Sequence, residues 1–416
     1  MDAGCPGIKS NCLQNMPSKE PRSRGEIQIA LAMTVLLVVG VLLYCAAFDH
    51  PRDFDFAGCY SAGLISRQAG TAKVYDVQRQ IQVQRSALGR TQLLLYAYPP
   101  FHALLFAQMA RFPYVTAYII WGCLDIVLWT LFVCLMRPYA PIPRDPLHYF
   151  MLCFLFLPAW AALVLGQNSL ILLVLYTLTF ICLRHRHEYW AGVFLGLGLL
   201  KYHLVLPFAL ILLLRGKWRV MAGFGLACSV LVALSFWTAG SAGMLAYGHL
   251  VLDIAKDPAN PAYESFSPRH IMPTVWGLFA ALLGRYVSLI WIKILSALTC
   301  AGLVLFTAWR WRREERHRGD DSLGPMFAAA LSVSLLVTPH LYTYDLTLML
   351  LVMLLVFNSS RWTTDASWRR SLTVAAVLLY LPLYPLLFAH GASFLLVPLL
   401  LVFALSGGGT AVTKPA

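Results

Sequence analysis

The chain has 416 residues, of which 59% are hydrophobic and only 12% are charged. A soluble domain carries about a quarter charged residues, so this composition argues against a soluble protein. The net charge is +13, but most Lys and Arg residues stand in short loops, which favours membrane orientation and anionic lipid headgroups over nucleic acid. Because neither a CxxC motif nor a Cys/His cluster occurs, we predict no disulfide framework and no metal site.

Long apolar runs recur along the chain and predict an all-α polytopic membrane protein with about 10–13 transmembrane helices. Residues 1–25 form a tail that contains several Lys and Arg residues and is expected in the cytoplasm. Residues 26–406 form the membrane domain, and residues 407–416 form a second cytoplasmic tail. We therefore expect a multi-pass protein of the cell membrane with both termini inside.

The first span runs from about Ile27 to Phe48, and residues 49–97 then form the first outer loop. Within this loop Phe56, Tyr60 and Leu64 recur every four residues, and a second candidate helix runs from about Val77 to Leu88. Helices with one apolar face lie along a membrane surface, so we predict two amphipathic helices in this loop.

Two of the later apolar segments are not predicted to cross the membrane as single ordinary spans. Segment 98–111 is too short for an ordinary span and is predicted to be re-entrant or interfacial. Segment 190–214 has basic turns at both ends and is predicted to be a broken hairpin with Lys201 near its outer tip. Basic clusters mark cytoplasmic turns, which puts a second outer loop at residues 239–272. The remaining segments are 114–136, 147–165, 169–183, 218–238, 273–308, 324–337, 341–357, 371–388 and 392–405.

Two carboxylates, Asp53 and Asp55, follow the first span in an aromatic stretch. A carboxylate in partly dry surroundings has a raised proton affinity and can accept a hydroxyl proton as a general base. The structural alternative is that Asp55 caps a helix that begins at Phe56. The residues leave both interpretations open, with Asp53 as a rival for the catalytic role.

Several polar side chains interrupt the apolar runs that follow. Tyr98 precedes two prolines, and its ring suits the interfacial belt at a helix start. Gln167 and Asn168 lie between two apolar segments. Amides there either bond neighbouring helices or hold a sugar hydroxyl or a phosphate.

Basic side chains provide candidates for an anion site. Lys201 and His203 lie deep within an apolar run, where a lysine needs a partner or snorkels to the surface. Arg269, His270 and His340 are predicted on the outer face, where each is also compatible with an ordinary loop. Together they would bring several cations to the face that carries Asp55, as a phosphate leaving group requires. Asp345, within a predicted membrane segment, is expected to bond a neighbouring helix or to orient His340 or a tyrosine.

The order of these residues resembles glycosyltransferase family 87, the polyprenol-phosphate-mannose-dependent mannosyltransferases of the GT-C superfamily. The similarity covers roughly residues 27–405. It rests on Asp55-Phe56 with Tyr60, Gly70 to Tyr75-Asp76, Tyr98-Pro99-Pro100, Gly166-Gln167-Asn168, the run from Ala191-Gly192 to Lys201, and Pro339-His340 to Asp345.

The resemblance implies a GT-C-like bundle whose first outer loop carries the catalytic aspartate, here Asp55. It also implies a polyprenyl-phosphate sugar donor, with mannose as the first candidate, and a lipid or glycan acceptor. On this interpretation the donor phosphate is bound by Lys201, with Arg269 and His340 as weaker candidates, and neither a cofactor nor a metal is demanded. The candidate substrate-binding residues are Tyr60, Tyr98, Gln167, Asn168, His203 and His270.

The competing hypothesis is a polytopic transporter or lipid flippase. Broken helices and charges within the membrane are found in such proteins as well. The chain has no apparent inverted repeat, and its long first outer loop is better explained by a transferase.

Overall fold

The computed structural model describes residues 54–256, 272–359, 365–383 and 390–407, together with residues 25, 28, 32, 34–36, 39, 40, 362, 364, 386 and 387. Most of the predicted first span, Asp53, Arg269, His270 and nearly all of both tails lie outside the described residues. The described part is helical and contains no strand. Its helices are α1 Phe56–Ala69, α2 Val77–Leu88, α3 Pro100–Met109, α4 Tyr114–Met136, α5 Pro146–Phe154, α6 Leu157–Leu165, α7 Ser169–Arg184, α8 Glu188–Leu197, α9 Tyr202–Leu214, α10 Trp218–Lys256, α11 Val275–Leu283, α12 Leu289–Arg318, α13 Leu323–Val337, α14 Met349–Phe357, α15 Ala366–Tyr380 and α16 Val397–Ala404.

The chain is an all-α membrane protein. Within the described ranges, four helical segments are long and apolar enough to cross a bilayer, at 114–139, 188–214, 218–256 and 289–337. The bent pair α5 and α6, which meet at 52°, makes a fifth if the two count as one span. The predicted total of 10–13 spans stays a prediction.

The described part of the predicted first outer loop, residues 54–97, folds differently from the surface helices that we predicted. α1 is buried on most sides, including Phe56 and Tyr60, so it does not lie with one face on a lipid surface. Gly63 explains the tight packing, since a Cβ there would come within 2.2 Å of the Phe106 carbonyl oxygen on α3. The four-residue repeat of aromatic side chains therefore marks a helix packed within protein.

α2 has the bounds that the sequence predicted, but its buried face carries amides. Gln80 and Gln84, one turn apart, are buried and bond an extended segment of the chain. The Gln80 side chain pairs with the backbone of Tyr96, and the Gln84 side chain pairs with the backbone of Leu94. These amides satisfy backbone groups that no strand satisfies, and they fix residues 94–96 as a wall beside α1.

The predicted hairpin at 190–214 is wrong. α8 and α9 form one candidate span from Glu188 to Leu214, interrupted by a 3₁₀ stretch at Gly198–Lys201. α8 packs against α10 instead of folding back on α9. A Cβ at Gly192 would lie 1.9 Å from the Val220 carbonyl oxygen, so small residues allow these helices to approach closely.

Two further segments are longer helices than the apolar pattern indicated. α10 extends to Lys256 through a kink at Gly240 (φ 63°), so residues 239–256 of the predicted second outer loop are helical. α12 continues through the basic run to Arg318, which the sequence suggested was a loop. Arg215, in the turn between α9 and α10, packs over the Trp311 ring of α12 and so contacts this basic segment.

Candidate active site

Asp55 occupies the N-cap position of α1, but its carboxylate does not cap the helix. Instead its Oδ2 accepts a hydrogen bond from Gln167 Nε2 at 2.5 Å. The capping alternative is therefore wrong for the side chain. The carboxylate of Asp55 is directed towards a residue 112 positions away in the sequence.

Gln167 reaches Asp55 because α6 ends in a glycine. Gly166 has a left-handed conformation (φ 65°), and a Cβ there would lie 2.7 Å from Cβ of Phe56. Only glycine therefore allows this turn to approach α1. The Gln167 Oε1 atom accepts from the Tyr98 hydroxyl at 3.2 Å and from Lys201 Nζ at 3.5 Å. The amide thus connects the carboxylate with a cation.

Lys201 lies at the break between α8 and α9 and is 2% exposed. Its Nζ bonds Asp345 Oδ1 at 2.5 Å and Ser169 Oγ at 2.9 Å, and lies 4.7 Å from the centre of the Tyr344 ring. Asp345, which is 1% exposed, is therefore the partner that a buried lysine needs. These contacts, with Ser169 of α7 and with Lys201, agree with the expectation that Asp345 bonds a neighbouring helix, although the sequence did not identify Lys201 as its partner.

Two cavities adjoin this network. The first, called here the carboxylate cavity, has a volume of about 330 Å³. The second, called here the cation cavity, has a volume of about 420 Å³. Tyr98, His340 and Tyr344 line both, so the two spaces meet at these side chains. The carboxylate cavity also has Asp55, Gly58, Cys59, Leu94, Leu95, Tyr96, Leu165, Gln167, Tyr342 and Thr343. The cation cavity also has Ala97, Leu200, Lys201, Tyr202, His203, Val251, Ile254, Ala255, Trp276, Lys293, Pro339 and Asp345.

Residues 96–339 match the sequence model of glycosyltransferase family 87. The matched region is more than half of the chain. The chain belongs to glycosyltransferase family 87. A search of curated proteins found no match. The family assignment makes this chain a membrane glycosyltransferase, with a sugar donor and an acceptor, and argues against the transporter or flippase alternative.

The region that matches family 87 includes some of the hydrogen-bonded residues described above and excludes two carboxylates. It includes Tyr98, Gln167 and Lys201, whereas Asp55 lies before its first residue and Asp345 after its last. The hydrogen bonds from Gln167 to Asp55 and from Lys201 to Asp345 tie these two outlying carboxylates to the matched region.

The structure brings together only part of the set of residues predicted for this family 87 member. Tyr98 and His340 line both cavities, and His203 lines the cation cavity beside His340, with ring centres 5.6 Å apart. Tyr60 lines neither cavity, since its hydroxyl donates to the Phe112 carbonyl at 2.8 Å. Asn168 is fully buried and bonds His102 Nε2 through its Oδ1 at 3.2 Å.

Three residues of the site were missed in the sequence. His102 stacks against Tyr98 at 4.4 Å between ring centres and so supports a wall of both cavities. Tyr344 lies under Lys201, and Lys293 lines the cation cavity. A lysine in the second turn of an apolar span was the available signal for Lys293, because such a charge is costly in a membrane.

Asp55 has the environment that a general base needs. Burial raises the pKa of its carboxyl, while the hydrogen bond from Gln167 and the charge of Lys201 oppose that rise. The carboxylate is thus a better proton acceptor than an exposed aspartate. Within the described ranges, no group of three or more His, Cys, Asp or Glu side chains is arranged to hold a metal ion.

Proposed function

We propose that this family 87 glycosyltransferase moves a sugar, with mannose as the first candidate, from a polyprenyl-phosphate donor to an acceptor hydroxyl with inversion. One observation carries the proposal: a cavity lined by the partly buried carboxylate of Asp55 meets a cavity lined by several basic side chains at Tyr98, His340 and Tyr344. The acceptor then attacks the anomeric carbon from one cavity while the phosphate departs into the other. An inverting displacement requires such a separation of the two groups.

In this proposal Asp55 is the general base. Its Oδ2 is held by Gln167, which leaves Oδ1 for the acceptor hydroxyl. Asp55 takes the hydroxyl proton as the acceptor oxygen bonds the anomeric carbon. The bond from that carbon to the phosphate oxygen breaks, and the phosphate leaves with the electron pair. No second carboxylic acid is required, because the phosphate leaves without being protonated.

The departing phosphate carries the charge that develops in the transition state. Positive groups fixed at that point stabilise it without reorganising, and this is a large term in enzyme catalysis. His203 and His340 line the cation cavity and are our candidates for this role, and Lys201, the candidate from the sequence, lines it in an ion pair with Asp345. Arg269, which lies outside the described residues, stays a candidate from the sequence. The apolar lining by Val251, Ile254 and Trp276 is suited to a lipid chain.

The test is transfer by the purified full-length protein in lipid nanodiscs. Polyprenyl-phosphate mannose and other polyprenyl-phosphate sugars are supplied with a panel of lipid and glycan acceptors, and the products are identified by mass spectrometry. We expect a glycosylated acceptor of inverted anomeric configuration. A product with retained configuration, or transfer from a nucleotide sugar alone, would contradict the proposal. Donor uptake into liposomes without transfer would restore the transporter alternative.

A further inference from the structure

The two lysines of the cation cavity differ in their partners. Lys201 Nζ lies 2.5 Å from Asp345 Oδ1, and both side chains are almost fully buried. The positive charge of Lys201 is therefore matched by a carboxylate at hydrogen-bond distance. A phosphate that drew this ammonium away would leave Asp345 buried without its cation, which is strongly unfavourable.

Lys293 lines the same cavity from α12, and no carboxylate among the residues that the structure describes pairs with it. Among the described residues it makes no hydrogen bond or ion pair. The residues three and four positions away on the helix, Leu289, Ile290, Ser296 and Ala297, are uncharged. The first turn of α12 has no acidic side chain either. No neighbour on its own helix neutralises this ammonium.

The walls around Lys293 suit an anion that carries an apolar chain. Trp276 of α11 and Val251, Ile254 and Ala255 of α10 provide an apolar surface. On the other side His203 and His340 add two imidazoles that can donate hydrogen bonds. An ammonium is a compact point charge that binds phosphate well, and the apolar walls accept the chain attached to it.

We infer that Lys293 binds the donor's phosphate directly, whereas Lys201 is a positioning residue that holds Asp345 and Gln167. This inference rests on the proposed function for the identity of the donor. The ligand class is a phosphate ester of a long apolar alcohol. During transfer the phosphate oxygen receives the electron pair of the broken bond, and Lys293 donates hydrogen bonds to it without giving up its proton.

The direct test measures binding rather than turnover. Full-length protein in nanodiscs is titrated with a short-chain polyprenyl monophosphate and with the polyprenol of the same length, and the bound lipid is counted by native mass spectrometry. Lys293→Gln should bind the monophosphate about tenfold more weakly, because a charge-assisted hydrogen bond is lost. Its binding of the alcohol should not change. Lys293→Arg should retain most of the affinity.

Arg285→Gln is the matched control. Arg285 is exposed, lies eight residues before Lys293, and lines neither cavity. This variant also removes one positive charge and should bind both lipids as the wild type does. Equal losses in Lys293→Gln and Arg285→Gln, or a wild type that binds alcohol and monophosphate alike, would overturn the inference. Thermal unfolding of each variant shows whether a loss of affinity comes from misfolding. If Lys293→Gln misfolds, the affinity of Lys293→Arg for the monophosphate tests the inference instead.

Kinetics separate this inference from the proposed function. In Lys293→Gln we expect the KM for the donor to rise about tenfold. If the wild type transfers no sugar but its monophosphate binding depends on Lys293, the proposed donor role fails and the phosphate site stands. If the wild type transfers sugar and Lys293→Gln has an unchanged KM and affinity, the inference fails and the proposed function stands.

Discussion

Asp55, which is partly buried, and Asp345, which is almost fully buried, are carboxylates at neighbouring cavities, and they differ in what holds them. Asp345 is bonded to the ammonium of Lys201, whereas Asp55 is bonded to the neutral amide of Gln167. A cation at hydrogen-bond distance stabilises the charged form of a carboxyl much more than an amide does. The comparison indicates that Asp345 serves structure through a balanced ion pair. Asp55 keeps the proton affinity of a base.

The strongest test of this contrast is Asp55→Asn. The substitution keeps the size of the side chain and removes the group that accepts the proton. General base catalysis contributes roughly 10²- to 10⁴-fold, so kcat for sugar transfer should fall by about that factor. Transfer is measured with a polyprenyl-phosphate sugar in nanodiscs, and the thermal midpoint should remain close to that of the wild type.

Asp76→Asn provides the matched control for that experiment. Asp76 caps α2 by accepting from the Arg79 amide, and it lines neither cavity. Asparagine caps as well as aspartate, so both activity and stability should be preserved. Near-normal turnover by Asp55→Asn would remove Asp55 from the role of base and leave Asp53 as the remaining candidate.

The ion pair is tested through stability. Removing one partner of a buried pair costs about 3–5 kcal/mol, because the other charge stays buried without compensation. Lys201→Met and Asp345→Asn should each lower the free energy of unfolding by about that amount. The double variant Lys201→Met/Asp345→Asn should lose less than the sum of the two, since no charge is left unpaired. Denaturant unfolding in detergent micelles measures all three.

An exposed ion pair provides the control, because water can solvate the charge that is left when one partner is removed. Arg186 and Asp320 bond at 2.6 Å with side chains 75% and 63% exposed. Arg186→Met should change the free energy of unfolding by less than about 1 kcal/mol. If Lys201→Met and Arg186→Met destabilise the protein equally, the assignment of Lys201 as a positioning residue in a buried pair is wrong.

The pH dependence of kcat tests whether the Gln167 amide lowers the pKa of Asp55. Gln167 donates to the charged form of Asp55 and so opposes the rise in pKa that burial causes. Removing this donor in Gln167→Met should raise the pKa of Asp55 further. The base must be deprotonated to act, so the acidic limb of the kcat profile should move to higher pH, with a loss of about tenfold at neutral pH.

Gln92→Met is the control for this shift, because Gln92 is exposed and lines neither cavity. Its profile should superimpose on that of the wild type. An acidic limb that stays in place in Gln167→Met, with only a lower plateau, would show that the amide serves substrate binding rather than the proton affinity of Asp55.

The sequence predicted helices well where one apolar run forms one element. α4 and α7 match the predicted segments closely. The hairpin at 190–214 failed because basic turns at both ends suggested that the chain returns to the same side. Gly192 and Gly196 instead fit α8 against α10, and close approach between helices distant in sequence is not visible in hydropathy.

Some residues of the candidate site could be predicted from the sequence, but their pairing could not. Costly polar groups in apolar runs pointed to Gln167 and Lys201, which line the two cavities. Their partners come from positions 55 and 345, and no local pattern specifies such long-range contacts. Tyr60 shows the reverse failure. Its place in the family-like motif suggested a substrate contact, while its hydroxyl is used by the Phe112 carbonyl.

The smallest expected effect comes from Tyr60→Phe. This variant tests the difference between a tyrosine that only stabilises the fold and a tyrosine that lines the cavities. The variant removes the donor to a carbonyl at 2.8 Å and should lower the free energy of unfolding by about 1 kcal/mol. Because Tyr60 lines neither cavity, kcat and KM should not change. Tyr98→Phe is the counterpart, since its hydroxyl donates to Gln167 and its ring lines both cavities. It should lower kcat/KM severalfold, and an equal loss in Tyr60→Phe would return Tyr60 to the substrate site.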